Sequence, residues 1–274
     1  MMTKEILMYN DEIKLLFTEA SHRYKVCKKS LKGGWLKPES VAGVTTILGY
    51  KAKPSLIPWA ASEASKEFAR LVLKHEGELT KETVENMQTL AKSAHLRKKD
   101  TAADIGSLAH KCFEDYLKSK IVPTFDATTP PQVISSWDGF EKYWKKTGFI
   151  CAQAEQVVYS RDLHFCGTFD FLARDKMGRL YIGDFKTTKT SAYAPNGIYV
   201  ENFYQMGGYA RAFYEEFGEE IHDLICINVG KEDGVIREDR ASRFGMTVLD
   251  AVEAFESIHH AWKTNKEWEY NFKK

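Results

Sequence analysis

The sequence predicts an α/β fold, in which a mixed sheet is flanked by helices, and three observations lead to it. After residue 100, the hydrophobic periodicity follows the order helix, three-stranded meander, helix, strand. The composition is that of an ordinary globular protein, with 43% hydrophobic and 28% charged residues. No Pro-, Gly- or Ser-rich linker separates two bodies. We expect an N-terminal strand and helical elaboration over residues 1–99, packed on a core over residues 100–274 with a helical insertion near 130–148.

The N-terminal part combines extended and helical patterns. Short extended pieces are predicted at Arg23–Val26 and Val41–Leu48, on either side of the turn-prone Lys32–Gly34. Helices are predicted from Trp59 to about His75 and from Lys81 to about Lys99. The second helix ends in a basic run. Such a run suits the negative C-terminal end of a solvated helix, and a contact with phosphate is the alternative.

The core elements follow from changes in period. An apolar stripe at i, i+3, i+4 spacing after Asp100 predicts a helix, and His110 lies beside that stripe. Alternating and continuous apolar runs then predict strands between further helices. The remaining predicted elements are a helix from Pro130–Pro131 to Gly148, strands Cys151–Ser160, Leu163–Arg174 and Arg179–Thr187, a helix Ile198–Gly218, strands Ile221–Val229 and Val235–Arg240, and a helix Thr247–Lys263.

Composition excludes several classes of protein. With 39 basic and 38 acidic residues the formal charge is +1, which argues against a protein that coats nucleic acid nonspecifically. No run approaches the roughly 18 apolar residues of a membrane span, and the start lacks a signal-peptide layout, so we expect a cytoplasmic protein without a membrane partner. The five cysteines are scattered, without Cys-x-x-Cys, and predict reduced thiols rather than a disulfide framework or a cysteine-ligated metal.

The most informative segment is a predicted antiparallel hairpin that closes at Asp175–Gly178. Its register places Asp170 opposite Asp184 to within one position, and Lys186 on the same face as Asp184. Two carboxylates with Cβ atoms roughly 5 Å apart repel each other unless a positive charge lies between them. A divalent cation is the natural candidate for that charge.

This set of side chains suits the cleavage of a phosphodiester. Carboxylate oxygens are preferred ligands of Mg²⁺ and Mn²⁺, which activate water and neutralise phosphate charge. A lysine can then orient the water or stabilise the oxyanion. An acidic-x-Lys tripeptide alone is weak support, because Glu12-Ile13-Lys14 has the same form without a partner carboxylate. A structural ion pair or a degenerate site is the alternative interpretation of Asp170, Asp184 and Lys186.

The motifs resemble those of the PD-(D/E)XK nuclease superfamily, and specifically its RecB-like exonuclease branch. Gly167–Asp170 is similar to the G-x-x-D motif of that branch, with Phe169 in place of the superfamily's proline, and Asp184–Thr187 is similar to D-x-K-T. Ile105–His110 resembles the upstream helix with its histidine, and Gln205–Tyr209 matches Q-x-x-x-Y. Val44–Leu48, with the tryptophan that follows at position 59, is similar to an element of phage-type members.

The resemblance implies a restriction-endonuclease-like core and an Mg²⁺- or Mn²⁺-dependent deoxyribonuclease. It implies no iron–sulfur cluster, because the four cysteines that bind one in some relatives are missing. Asp170, Asp184 and Lys186 would be catalytic. The expected metal ligands are His110, Asp170, Asp184 and the backbone carbonyl of Phe185, with Glu155 at the start of the preceding strand as a further candidate. Residues expected near the DNA are Gln205, Tyr209, Thr187, Thr188 and Lys189, for which simple packing or an ordinary strand end is the alternative.

The expected substrate is single-stranded DNA that enters from a free end. The helical segment from about Pro58 to Lys99 brings Trp59, Phe68 and the basic Arg97–Lys99, which could line a channel for one strand. The alternative is that these helices enlarge the hydrophobic core. The same nuclease core also serves structure-specific endonucleases, and a noncatalytic DNA-binding protein on a nuclease fold is a third possibility. The sequence assigns no protein partner.

Overall fold

The computed structural model describes residues 3–18, 21, 23–189 and 198–272. The chain forms two compact units, which are described separately. The first consists of Met1–Tyr50 and His110–Lys274, and the second of Lys51–Ala109. The N-terminal strands therefore belong to the same unit as the strands that carry the predicted hairpin.

The first unit is built on one mixed sheet. Within the described residues, nine strands pair in the order β1-β2-β3-β4-β6-β7-β8-β9, and β5 pairs with β6. The pairs β4–β6 and β7–β8 are parallel and the others antiparallel. The strands are β1 (Thr3–Met8), β2 (Ile13–Thr18), β3 (Arg23–Lys28), β4 (Glu39–Gly43), β5 (Ile150–Ser160), β6 (Phe165–Arg174), β7 (Leu180–Thr188), β8 (Asp223–Gly230) and β9 (Ile236–Arg240).

Helices complete the architecture. They are α1 (Val44–Leu48), α2 (Leu56–Leu73), α3 (Lys81–Lys92), α4 (Ala94–Ser119), α5 (Pro131–Thr147), α6 (Val200–Phe217) and α7 (Val248–Phe272). The predicted α/β class with a mixed sheet flanked by helices is confirmed. No helix in the described part of the chain is both long enough and apolar enough to cross a bilayer.

Strand β7 separates two apolar layers. On one side, Phe185 packs in an aromatic cluster with Phe113 of α4, Phe140 of α5 and Phe171 of β6, with ring centroids 4.4 to 5.5 Å apart. On the other side, alternate strand residues such as Ile182 pack against α6 and α7. Because both faces are covered, charged side chains on β7 lie in a largely apolar surrounding.

The prediction of an extended Val41–Leu48 is only half right. Strand β4 ends at Gly43, and Val44–Leu48 is a short helix. Its β-branched residues favour a strand, but Val44 and Ile47 have helical i, i+3 spacing, and both are buried. Burial of that pair against the core outweighs local propensity.

The second unit corrects the prediction for the basic run. Helix α3 ends at Lys92, and α4 begins at Ala94, earlier than the sequence pattern indicated. The run is therefore in the first two turns of α4, near the helix end where the dipole disfavours cations. Two ion pairs with α2 offset this effect: Lys98 Nζ to Glu63 Oε2 at 2.8 Å, and Arg97 Nη2 to Glu67 Oε1 at 3.6 Å.

Candidate active site

The site lies beside a stretch of β6 that has no strand partner on one edge, between its pairing with β4 and its pairing with β7. On one edge, β6 pairs with β4 at Phe165–Cys166 and with β7 at Phe171–Arg174. The segment Gly167–Asp170 lies between these two ladders and leaves room for side chains from α6. The ring of Tyr209 fills this space directly over Gly167, where any Cβ would overlap it. The glycine of the G-x-x-D motif is thus required by close packing.

The predicted register of the hairpin is confirmed. Phe171 pairs with Gly183 and Arg174 with Leu180, so the ladder, continued by one step, brings Asp170 to Asp184. Instead of forming that last backbone pair, the strands diverge. The amide N–H of Phe185 donates to Asp170 Oδ2 at 2.6 Å. The Asp170 side chain thereby accepts the backbone N–H of Phe185 at the point where the β6–β7 ladder ends.

Both carboxylates are held in an environment that disfavours their charge. Burial raises the pKa of Asp170 to about 6, against an opposing effect of the Lys186 ammonium. Burial also raises the pKa of Asp184 to about 6, and repulsion from Asp170 adds to the effect. Asp184 is only 2% exposed. The pair therefore favours any ligand that supplies positive charge.

Lys186 is the cation nearest to this pair. Its Nζ lies 2.5 Å from Asp184 Oδ2. Burial acts to lower the pKa of Lys186, but the charges of Asp184 and Asp170 outweigh it and raise the pKa. Apart from this ammonium, Asp184 Oδ2 has no hydrogen-bond donor among the described residues. A divalent cation would compete with Lys186 for this oxygen.

Gln205 connects the catalytic candidates through its amide. Its Nε2 donates to Asp184 Oδ1 at 3.1 Å and to Tyr209 Oη at 2.8 Å. Its Oε1 accepts from Lys186 Nζ at 3.4 Å. Tyr209 is 3% exposed, so its hydroxyl holds Gln205 and its ring presents little surface to solvent. The i, i+4 spacing on α6 places both side chains on the face that meets the hairpin, as the sequence predicted.

His110 approaches the same place from α4. Its Nδ1 lies 3.8 Å from Asp170 Oδ2, and its ring packs near Phe113 and Phe185. Burial, together with the charge of Lys186, lowers the pKa of His110 to about 4. The imidazole is therefore neutral at pH 7, which is the form that binds a metal ion.

Two glutamates extend the site on the side of β5. Glu155 stands between the ladder pairs Ala154↔Phe171 and Gln156↔Phe169, which places it opposite Asp170. Its φ of 51° is in the left-handed region, which is uncommon for a non-glycine residue inside a strand. Burial raises the pKa of Glu155 to about 8, and the charges of Asp170 and Glu114 add to the effect.

Sequence reasoning missed Glu114. It lies one turn after His110 on α4, and its charge acts on both Asp170 and Glu155. Lys118 Nζ donates to it at 2.6 Å and Lys111 Nζ at 3.1 Å. Glu114 follows His110 at i+4 on a predicted helix, and this spacing could have predicted that both side chains lie on the same face of α4.

The residues that follow Lys186 are partly held by contacts within the protein. Thr188 Oγ1 accepts from Asn228 Nδ2 at 3.0 Å, which ties the end of β7 to β8. Lys189 is exposed, and its Nζ lies 3.8 Å from Glu232 Oε1. Thr187 is half-buried at the end of the same strand. The position of these residues is compatible both with a phosphate contact and with an ordinary strand end.

The donor set suits a hard divalent cation. Two carboxylates, a neutral imidazole nitrogen and the carbonyl of Phe185 are the ligand types that Mg²⁺ and Mn²⁺ accept. Among the described residues, however, no three His, Cys, Asp or Glu side chains already lie close enough together to hold an ion. Binding would require side-chain rearrangement, including withdrawal of Lys186 Nζ from Asp184 Oδ2.

Comparisons with known proteins give little support to any assignment. No family model matches the chain, and no curated protein matches it. Among solved structures, the chain is similar to one titled "Crystal structure of SSO0001", at 13% identity over 56% of this chain and 72% of that chain, with a TM-score of 0.26. A similarity at this level carries no argument about fold or function.

Proposed function

We propose that the protein is a metal-dependent nuclease with a restriction-endonuclease-like core, similar to the RecB-like branch of the PD-(D/E)XK superfamily. The observation that carries the proposal is the ion pair between the buried Asp184 and the half-buried Lys186, beside Asp170 at the fork of a covered sheet. Removing three ionisable groups from most of their water is unfavourable for folding, and such clusters are typical of active sites. Residues from four of the motifs meet here: His110, Asp170, Asp184, Lys186, Gln205 and Tyr209.

Each residue has a role in this proposal. Asp170, Asp184, His110 and the carbonyl of Phe185 would hold Mg²⁺ or Mn²⁺, with Glu155 as an additional candidate. The bound ion would supply Lewis-acid activation of water and neutralise phosphate charge. The Lys186 ammonium, held by Gln205 and Asp184, would orient the attacking water or stabilise the developing oxyanion.

The proposed substrate is DNA, single-stranded and entered from a free end, in a cytoplasmic setting. Tyr209 fills the space over Gly167, and the aromatic cluster covers the opposite face. A flexible single strand can enter such a site more readily than a duplex about 20 Å wide. A structure-specific endonuclease remains the competing activity, and cleavage of a circle distinguishes the two.

The test is digestion of end-labelled linear single-stranded DNA, blunt duplex and closed single-stranded circles, each with Mg²⁺, Mn²⁺ or EDTA. We expect degradation of the linear single strand with either ion and none with EDTA. Asp184→Ala and Lys186→Ala should remove this activity. The matched controls are Asp162→Ala and Lys176→Ala, because Asp162 is exposed and Lys176 lies in the loop of the same hairpin.

Three outcomes would contradict parts of the proposal. Full turnover by a folded Asp184→Ala variant would remove the site assignment. Efficient cleavage of circles would indicate an endonuclease. Ion-independent binding of DNA, without cleavage of any substrate, would favour a noncatalytic DNA-binding protein.

A further inference from the structure

The N-terminal strands present a basic sheet face. Ile13, Leu15 and Phe17 of β2 are buried, so the alternate residues of β2 point to the other side of the sheet. The register pairs Lys14 with Cys27 and Leu16 with Lys25. By the same alternation Arg23, Lys25 and Lys29 share this side with Lys14, and the Lys14 ammonium lies 5.2 Å from the ring centroid of Trp35. The basic sheet face is defined as Lys14, Arg23, Lys25, Lys29 and Trp35.

Three of the four cations of this face have no ion-pair partner within the described chain. Residues 23–37 contain six lysines and arginines and no aspartate or glutamate. No carboxylate of residues 3–18, 21, 23–189 and 198–272 lies within ion-pair distance of Arg23, Lys25 or Lys29, all of which are exposed. Lys14 alone is paired, with Glu5 at 3.6 Å. Unpaired like charges on one strand create a positive potential that favours a polyanion.

The second unit provides the contrast. There, the cations that the sequence placed near a DNA channel are already paired, Lys98 with Glu63 and Arg97 with Glu67. A phosphate would have to displace these carboxylates before it could bind. The cations of the basic sheet face need no such displacement.

Strand β3, which carries Arg23 and Lys25, is joined to the strand of Asp170 by one side chain. Tyr24 stands between Arg23 and Lys25 on β3 and points to the opposite side of the sheet. Its hydroxyl is hydrogen-bonded to Thr168 Oγ1 at 2.9 Å. Thr168 precedes Asp170 by two residues, which is about 6.6 Å along a strand. The basic face and the catalytic carboxylates are therefore held on neighbouring parts of one sheet.

We propose that the basic sheet face binds the phosphate backbone of single-stranded DNA outside the active site. A stretch of cations supplies the electrostatic attraction, and Trp35, whose side chain is 36% exposed, stacks on an unpaired base. Stacking of this kind requires a base that is free of its complement, which favours a single strand over a duplex. The identity of the polymer rests on the proposed function, whereas binding can be measured without cleavage.

The experiment is fluorescence anisotropy of a labelled 30-nucleotide oligo-dT in EDTA, at salt concentrations from 50 to 200 mM. Arg23→Glu/Lys25→Glu should bind at least tenfold more weakly and show a salt slope reduced by about 1.4, from two lost phosphate contacts. Trp35→Ala should bind about fivefold or more weakly with an unchanged slope, because stacking releases no counterion. Lys142→Glu/Lys146→Glu on α5 is the matched control, with the same change in net charge at two exposed positions.

The outcomes separate this inference from the proposed function. Wild-type affinity in Arg23→Glu/Lys25→Glu, or equal losses in the α5 control, would overturn the inference even if the enzyme cleaves DNA. If both variants bind oligo-dT more weakly as expected, but the wild type cleaves no DNA with Mg²⁺ or Mn²⁺, the proposed function alone would be overturned. Vesicles containing phosphatidylserine form a further arm: binding to them without binding to oligo-dT would identify a membrane surface and overturn the inference. Thermal unfolding checks that each variant is folded.

Discussion

At Asp170 and Asp184, burial and charge act in opposite directions. The apolar layers on both sides of the sheet disfavour ionised carboxylates, while Lys186 favours them. The result is a pKa near 6 for each, above the ordinary value of an aspartate. A group whose pKa is raised on folding contributes less to stability as the pH rises through that range. The candidate site is therefore a source of instability at neutral pH when it holds no cation.

This balance predicts that Asp170→Asn stabilises the ion-free protein. An asparagine oxygen still accepts from the Phe185 amide, while the buried charge and its repulsion of Asp184 are removed. We expect the free energy of unfolding at pH 7.5 in EDTA to rise by on the order of 1–3 kcal/mol. At pH 5 the gain should shrink, because the wild-type carboxyl is then mostly protonated. Urea denaturation at the two pH values measures both quantities.

Addition of Mn²⁺ should raise the free energy of unfolding of the wild type, whereas Asp170→Asn should show no such rise. Asp162→Asn is the control, since that carboxylate is exposed and lies on the surface beside Arg211. A destabilised Asp170→Asn at pH 7.5, or a gain that is equal at both pH values, would contradict the explanation by buried charge.

Gln205 and Tyr209 are expected to position Lys186 and Asp184. Tyr209→Phe removes only the hydroxyl that accepts from Gln205 Nε2 and leaves the ring over Gly167. We expect kcat to fall about fivefold to tenfold, which corresponds to one lost hydrogen bond of about 1 kcal/mol, with KM unchanged. Tyr214→Phe, at an exposed position on the same helix, should have wild-type kinetics.

A double variant tests the coupling between these two residues. Gln205→Ala/Tyr209→Phe should be no slower than Gln205→Ala alone, because the hydroxyl acts through the amide. Additive losses in kcat would show that Tyr209 acts on its own. A rise in KM for Tyr209→Phe would instead indicate a contact with the substrate.

At the scale of elements, the fork in the sheet depends on Gly167. A methyl group at this position would overlap the Tyr209 ring and push α6 away from the hairpin. Gly167→Ala should lower the free energy of unfolding by about 1–3 kcal/mol, as overpacking in a core does. Urea denaturation provides the measurement. Unchanged stability together with normal activity would mean that the ring can move without consequence.

Most of the hairpin could be predicted from the sequence, because its signals are local. The turn at Asp175–Gly178 fixes the register, and period 2 then places Asp184 and Lys186 on one face. Helix α5 is also as predicted, since Pro131 opens it and Gly148 ends it in the left-handed conformation. Where capping and turn residues agree with the hydrophobic period, the sequence is sufficient to predict the bounds of an element.

Two elements were predicted wrongly because distant packing decides them. Val44–Leu48 looks extended by propensity, yet its burial against α6 and α7 favours a helix. Helix α4 begins at Ala94, and its first turns form ion pairs with α2 that no pattern within the run reveals. For the same reason, the sequence indicated which residues belong near the site but not that the amide of Gln205 joins them, nor that Glu114 lies beside Asp170.

For the whole molecule, binding of a divalent ion should be linked to the release of protons. The two aspartates titrate near pH 6, whereas His110 stays neutral down to about pH 4. The affinity for Mn²⁺ should therefore fall as the pH decreases from 7.5 to 5.5, because protons compete for carboxylate oxygens. Calorimetry in two buffers with different ionisation heats measures the affinity and the protons released.

His110→Ala should weaken Mn²⁺ binding by a similar factor at every pH in this range, since the imidazole does not titrate there. Unchanged binding in that variant would make His110 a core residue of α4 and not a ligand. An affinity that does not vary between pH 7.5 and 5.5 would contradict the pKa values of the carboxylates.

The parallel pairing of β4 with β6 has a consequence for the order in which the chain folds. Ala42 and Gly43 pair with Phe165 and Cys166, so closing this ladder joins segments about 120 residues apart, and such distant contacts form slowly. During synthesis, the antiparallel strands β1 to β3 emerge long before their place in the sheet exists. The edge that waits for β6 belongs to β4, which has only five residues and begins with the charged Glu39, and a short charged edge discourages pairing with other chains.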